Sequence, residues 1–234
     1  LVLPNARKTD ASEAERALEL ASPTKLFTRP LVVTYSLQIV LSLIQGVAMA
    51  VWTLYMLDRG ASLFLIGLSF TTFALPVILL APVAGRLSDL YGRYRTLIFG
   101  LFLSSLIFYL YSAPITPLWV VILSIPEGVG AAFTRSAVDG LLADVMPMQA
   151  KGRVQAYYSA AGSLGSFIGA TASGLVYVFG SGVPFFLEAT LFLISAMLLF
   201  LPFLRRVFQI RPDSITLPLS EELEERIPEG IIQI

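Results

Sequence analysis

Gly85-Arg86-Leu87-Ser88-Asp89-Leu90-Tyr91-Gly92-Arg93-Tyr94-Arg95 is the most polar stretch in the middle of this chain, and both of its flanks are apolar. Upstream, Leu63 to Ala84 contains no charged residue, and downstream, Thr96 to Ala113 contains none either. Runs of about 20 apolar residues at 1.5 Å per residue match the roughly 30 Å hydrocarbon core of a bilayer. The quoted stretch therefore reads as a short loop between two membrane-spanning helices. Its two glycines suit a tight reversal of the chain, and Asp89 falls where the N-terminal dipole of the following helix would favour a carboxylate.

The same pattern repeats outward. Further spans are predicted over Leu31 to Met56, Leu118 to about Asp144, Val154 to Phe179 and Val183 to Leu204. Pro114, Pro117 and Pro147 mark breaks, and Gly180-Ser181-Gly182 marks a turn. Composition agrees: 56% of the 234 residues are hydrophobic and 14% charged, too little polar surface for a soluble domain of this size. Three segments follow: residues 1–30 as a polar N-terminal segment, 31–204 as a six-helix transmembrane domain, and 205–234 as an acidic tail. Ser12 to Leu20 has the composition of a short surface helix, and Glu221, Glu222, Glu224 and Glu225 cluster in the tail.

Cations set an orientation. If the first span leaves the cytoplasm, that side receives fourteen Lys and Arg, and the other side receives Arg59 alone. The positive-inside rule then places both termini in the cytoplasm, in a multi-pass protein of the plasma (inner) membrane.

Several function classes fall away. Cysteine and histidine are absent, which excludes disulfides, thiolate nucleophiles, imidazole shuttles and Cys/His metal sites. No Gly-Lys-Ser/Thr phosphate loop is present to drive a pump. No metal, cofactor, nucleic-acid partner or enzymatic activity is expected, and any proton chemistry must use carboxylates.

The pattern Gly85, Leu87, Asp89, Gly92, Arg93 and Arg95 resembles the cytoplasmic-loop signature of the major facilitator superfamily, Gly-x-Leu-x-Asp-x-x-Gly-Arg-x-Arg or Lys. The resemblance implies an all-α fold of paired six-helix halves, each an inverted three-plus-three repeat. It also implies a secondary transporter of a small solute working by alternating access. In that family the loop is a gating latch. The resemblance makes Asp89 the latch carboxylate and Arg93, with Arg86 and Arg95 beside it, the partner of Asp144 at the end of the fourth helix. The segment Ala143-Asp144-Val145-Met146-Pro147, followed by Lys151-Gly152-Arg153, resembles the family's link between fourth and fifth helices.

Two departures bear on which half this is. Where the family's first half carries Arg-x-x-Gln-Gly, the chain reads Ser124-Ile125-Pro126-Glu127-Gly128. Where the antiporter signature reads Gly-Pro-x-x-Gly-Gly, it reads Gly169-Ala170-Thr171-Ala172-Ser173-Gly174. These, and a start at Leu1-Val2-Leu3-Pro4 that reads like the exit of a preceding helix, favour the C-terminal half. The other six-helix half and the lipid bilayer are then its partners. The small residues Ala161, Gly165, Gly169 and Ser173, four apart, read as a close-packing seam.

Polar residues inside the spans mark a pathway for substrate or protons. Glu127 lies about nine residues into the fourth span, roughly 14 Å deep, where a charge is costly. Pro126 removes a helical hydrogen bond beside it. Gln38 and Gln45, seven apart on the first span, share a face that could line a cavity. Arg135 and Asp139, four apart, are spaced to pair. Glu188 reads as a hydrated group near the outer interface, and Trp52, Tyr55 and Trp119 as interfacial aromatics. A non-transporting sensor or a membrane-embedded enzyme on the same scaffold is the alternative reading.

Overall fold

The computed structural model describes residues 26–147 and 150–199. Among the described residues the secondary structure is helical: α1 (Arg29–Asp58), α2 (Leu63–Tyr91), α3 (Arg93–Ser112), α4 (Pro117–Val145), α5 (Lys151–Tyr177) and α6 (Val183–Leu199). The expected N-terminal segment up to residue 25, the last residues of the sixth span and the acidic tail lie outside the described residues.

The helix ends have local causes. Proline stands in the first turn of α1 and of α4, where its missing N–H costs nothing. Ser62 caps α2 by accepting the Leu65 N–H at 3.4 Å. The stretch read as a loop is almost wholly helical. α2 runs on to Tyr91, α3 starts at Arg93, and Gly92 alone breaks them, at φ 92°. Helix continues there because residues beyond the hydrocarbon can stay helical with polar side chains in water. Asp89 consequently sits in the last turn of α2, where the dipole disfavours a carboxylate, and not at the start of α3. Its ion pair with Arg93, 2.6 Å away, offsets this.

By length and composition α1 to α4 can each cross a membrane. α5 is 27 residues long but dotted with small polar groups, and α6 is a shorter apolar helix over its described length. Large apolar side chains such as Leu79, Phe64, Phe167 and Leu175 point outward, the arrangement a lipid-facing surface takes.

Packing follows the three-plus-three repeat. α1 lies along α5, α2 along α4, and α3 along α6. Exchanging the first three helices for the last three turns the first contact into the second and leaves the third unchanged. The repeat departs from symmetry at α3 against α4, a much closer contact than its counterpart α6 against α1.

The seam predicted on α5 is real. Gly165 and Gly169 are buried, and a Cβ at either would collide with the backbone carbonyl of Ile39 or Leu43 on α1. Ser166 Oγ also donates to the Ser42 carbonyl at 3.2 Å. The equivalent approach of α2 to α4 uses Gly128, whose missing Cβ leaves room for the Phe73 carbonyl.

Candidate functional site: a carboxyl-bearing cleft between the helices

A cleft of about 270 Å³ opens between the helices. α1 contributes Gln38, Gln45 and Trp52, α2 Phe70 and Phe73, α3 Phe108, and α4 Glu127, Arg135 and Asp139. All three residues expected on the pathway, Glu127, Gln45 and Gln38, thus lie on one wall system. Gln38 Nε2 donates to Ser42 Oγ at 3.2 Å and is seated against Gly162 of α5, where a Cβ would press on the amide.

Glu127, from α4, is one of two carboxyls on the lining of this cleft. Pro126 does not interrupt α4, which runs unbroken from Pro117 to Val145. Tyr111 Oη donates to Glu127 Oε2 at 2.8 Å and lies 3.3 Å from Ser124 Oγ. Tyr111 is itself fixed by an aromatic cluster: its ring meets those of Trp52, Tyr55, Phe108 and Phe185 at 5.3 to 6.3 Å. Tyr55 Oη donates to the Tyr111 carbonyl at 2.7 Å. The carboxyl therefore has one wall of apolar rings and one oriented phenol donor. Such a site can bind a proton or pair with a cationic group on a solute, and among the described residues Glu127 forms no ion pair with Arg135, the cation that shares the cleft.

Three residues are corrected here. Trp52 and Tyr55 are not interfacial aromatics: both are buried, and Trp52 Nε1 donates to Ser69 Oγ at 3.0 Å on the cleft wall. Trp119, in contrast, is exposed. Glu188 is not hydrated but almost fully enclosed, at 1% exposure. The reason is azimuth: Phe185, Glu188 and Phe192 share the face of α6 that packs on α3.

Arg135 and Asp139 both reach the cleft, yet among the described residues they form no ion pair. Tyr158 Oη of α5 donates to Asp139 Oδ1 at 3.4 Å instead. Both charged groups are exposed, so each can be hydrated singly and neither depends on the other.

The end of the bundle that carries the Gly85 to Arg95 stretch is a charge cluster. Arg93 bonds Asp89 on α2 and Asp144 on α4, with Nε 3.0 Å from Asp144 Oδ2 and Nη2 3.4 Å from Oδ1. Gly140 makes room for it, since a Cβ there would strike the guanidinium. Gly85, Arg86 and Arg95 stand beside this cluster on the ends of α2 and α3, and Arg86 and Arg95 are exposed.

At the opposite end Arg59 spans three elements. It donates to Ser181 Oγ at 3.2 Å and to the Ala113 carbonyl at 3.0 Å, and its guanidinium carbon lies 3.7 Å over the Tyr55 ring. Its neighbour Asp58 accepts from Tyr177 Oη at 2.5 Å. Sequence reasoning passed over Tyr111 and Phe108. Their signal was the stripe Ser104, Phe108, Tyr111 at helical spacing on α3.

The six described helices form an inverted repeat, apolar on their outer faces and polar along an internal cleft and at the two ends of the bundle, and so define a polytopic membrane protein. The sequence matches the family model of the Major Facilitator Superfamily over residues 34–226. The chain belongs to that family, which comprises membrane transporters and not enzymes.

Among its relatives are Multidrug resistance protein 2 of Bacillus subtilis, 33% identical over 131 residues, and Multidrug resistance protein 1 of the same organism, 30% identical over 133. The Quinolone resistance protein NorA of Staphylococcus aureus is 26% identical over 158 residues. These matches take in 56%, 57% and 66% of this chain but only 33%, 34% and 41% of the relatives. The chain thus spans well under two thirds of their length.

Proposed function

We propose that these six helices form one half, the C-terminal one, of a secondary transporter that expels a small, largely apolar solute across the plasma membrane by alternating access. In this reading both ends of the chain face the cytoplasm, the residues before α1 link the two halves, and the residues beyond α6 form a cytoplasmic tail. The observation that carries it is Glu127: a carboxyl on the wall of a ring-lined cleft, oriented by Tyr111.

The cleft supports a bulky apolar ligand. Trp52, Phe70, Phe73 and Phe108 supply area, and Glu127 supplies a carboxyl as a charge or proton site, with Arg135 and Asp139 on the same cleft. Relatives named for multidrug and quinolone resistance support export of such compounds. At about 270 Å³ the cleft is small for a drug-sized ligand, in keeping with a cavity completed by a second six-helix unit. α2, the helix least covered by its neighbours, offers that unit its apolar face. Arg93, Asp89 and Asp144 form the latch at the cytoplasmic end, and protons carried by Glu127 provide the drive.

The test is efflux of ethidium, a fluorescent lipophilic cation, from proteoliposomes holding the intact protein under an imposed pH gradient. Glu127→Gln is expected to abolish the response to the gradient while the protein still reaches the membrane. Gradient-driven efflux at the wild-type rate would remove Glu127 from the mechanism.

A further inference from the structure

The last carbonyls of a helix find no donor within it, and those at the end of α3 draw on two sources. The Tyr109 carbonyl accepts from Ser112 Oγ at 2.6 Å, and the Leu110 carbonyl from the Ala113 N–H at 3.2 Å. The Tyr111 carbonyl is met from another helix. It takes the Tyr55 hydroxyl of α1 at 2.7 Å and Nη2 of Arg59 at 3.5 Å. The same nitrogen donates to the carbonyl of Ala113, just past the helix, at 3.0 Å.

Arg59, the residue that ends α1, thus serves as a C-terminal cap for α3. A cation suits that position, because the helix dipole leaves partial negative charge there. The side chain is committed to it. Its guanidinium carbon lies 3.7 Å over the Tyr55 ring, and its Nε is buried without a partner. Among the described residues it forms no ion pair with Asp58 beside it, whose carboxylate accepts from Tyr177 instead. An arginine that only marks an interface extends its head to water. This one turns inward.

What the cap fixes is the residue that holds the cleft carboxyl. Tyr111 presents its carbonyl to Arg59 and Tyr55, and its hydroxyl to Glu127 at 2.8 Å. The ring between them is packed by Trp52, Phe108 and Phe185. Once its backbone and ring are set, a phenol has few other directions to point. We propose that Arg59 is a positioning residue for Glu127, holding the backbone of Tyr111 where the phenol meets the carboxyl. The link runs from the end of α1 to the cleft although Arg59 and Glu127 do not touch. Without the cap the last turn of α3 frays, and the phenol leaves the carboxyl with it. This role rests on the reading of Glu127 as the working carboxyl of the cleft, but it consists of a hydrogen bond that can be followed without transport.

The intact protein is reconstituted in lipid bilayers, and infrared spectra are recorded at one pH. The absorption lost in Glu127→Gln identifies the Glu127 carboxyl, and its displacement in Tyr111→Phe measures the missing phenol bond. Arg59→Gln is expected to displace this band in the same direction, by most of the Tyr111→Phe amount, and to add nothing in the Tyr111→Phe background. Arg59→Lys keeps the charge but not the fork, and is expected to displace the band by less. Ser181→Ala removes the Arg59 contact that does not touch α3, and is expected to leave the band in place. A band at the wild-type position in both Arg59 variants overturns the proposal. So does a displacement by Arg59→Gln that persists in full without the Tyr111 hydroxyl, or one that Ser181→Ala reproduces, since either makes Arg59 a general brace for that end of the bundle. Ethidium efflux by Glu127→Gln is scored separately, so failure of the transport reading leaves the infrared result intact.

Discussion

Tyr111 reaches out of α3 and donates a 2.8 Å hydrogen bond to Glu127 on α4, making one phenol both a member of the aromatic core and the orienting partner of the cleft carboxyl. The two jobs can be separated. Tyr111→Phe keeps the ring contacts and the backbone carbonyl that Tyr55 bonds, and deletes only the hydroxyl. Losing one such bond costs about 1–2 kcal/mol, so the melting midpoint of the purified protein should fall only slightly. The pH profile of ethidium efflux should move, because the carboxyl loses its only donor among the described side chains. A wild-type profile would reduce Tyr111 to packing.

The close approach of α5 to α1 makes a sharp contrast between two glycines. A side chain at Gly169 would drive into the Leu43 carbonyl, whereas Gly174, five residues on and turned to another face of the helix, meets open space. Overpacking a fitted contact costs about 1–3 kcal/mol or more, and here the obstacle is backbone, which cannot swing aside. Gly169→Leu is expected to lose most folded protein in a detergent stability assay, and Gly174→Leu to stay near wild type. Equal tolerance at both sites would contradict the packing.

Much of this architecture could be read before any coordinates, and the limits have a common physical origin. Apolar run length specifies how deep a residue lies in a bilayer, and so placed Glu127 near mid-depth. The spacing of Gln38 and Gln45 brought both to the cleft wall. Run length says nothing about azimuth, because a membrane helix is apolar towards lipid and towards its neighbours alike. Trp52 and Trp119 therefore looked equivalent, yet one lines the cleft and the other faces outward. Glu188 departs from expectation for the same reason: its nearness to a helix end suggests water, while Phe185 and Phe192 on its own face exclude it. The charged stretch after Ala84 suggests a loop only because polarity resembles irregular backbone in a sequence, whereas polar residues beyond the hydrocarbon can stay helical. Gly92 turned out to be the one residue that had to leave the helix.

Arg59 ties together the ends of α1 and α3 and the turn before α6, and only a guanidinium has the geometry to do so. Its two terminal nitrogens bond Ser181 Oγ and the Ala113 carbonyl separately. Lysine keeps the charge but offers one point of contact in place of a fork. Arg59→Lys should lower stability by about 1–2 kcal/mol, read as a drop in the melting midpoint, with folding preserved. A midpoint equal to wild type would show that charge alone suffices at this end.

The Arg93 cluster depends on a residue that makes no polar contact of its own. The guanidinium lies over Gly140, and a single methyl group there would collide with its Nη1, Cζ and Nε atoms. Alanine is otherwise favoured over glycine inside a helix by up to about 1 kcal/mol, so Gly140→Ala should leave α4 as stable as before or slightly more so. The displaced atoms are the far end of a flexible side chain, which can move off without disturbing the backbone. Moving off breaks the 3.0 Å bond to Asp144. If that bond is part of a latch between transport states, Gly140→Ala and Asp144→Asn should change the ethidium efflux rate in the same direction, and the double variant should add little to either. Additive effects, or an efflux rate untouched by Gly140→Ala, would mean that the Arg93–Asp144 contact holds two helix ends together without gating transport.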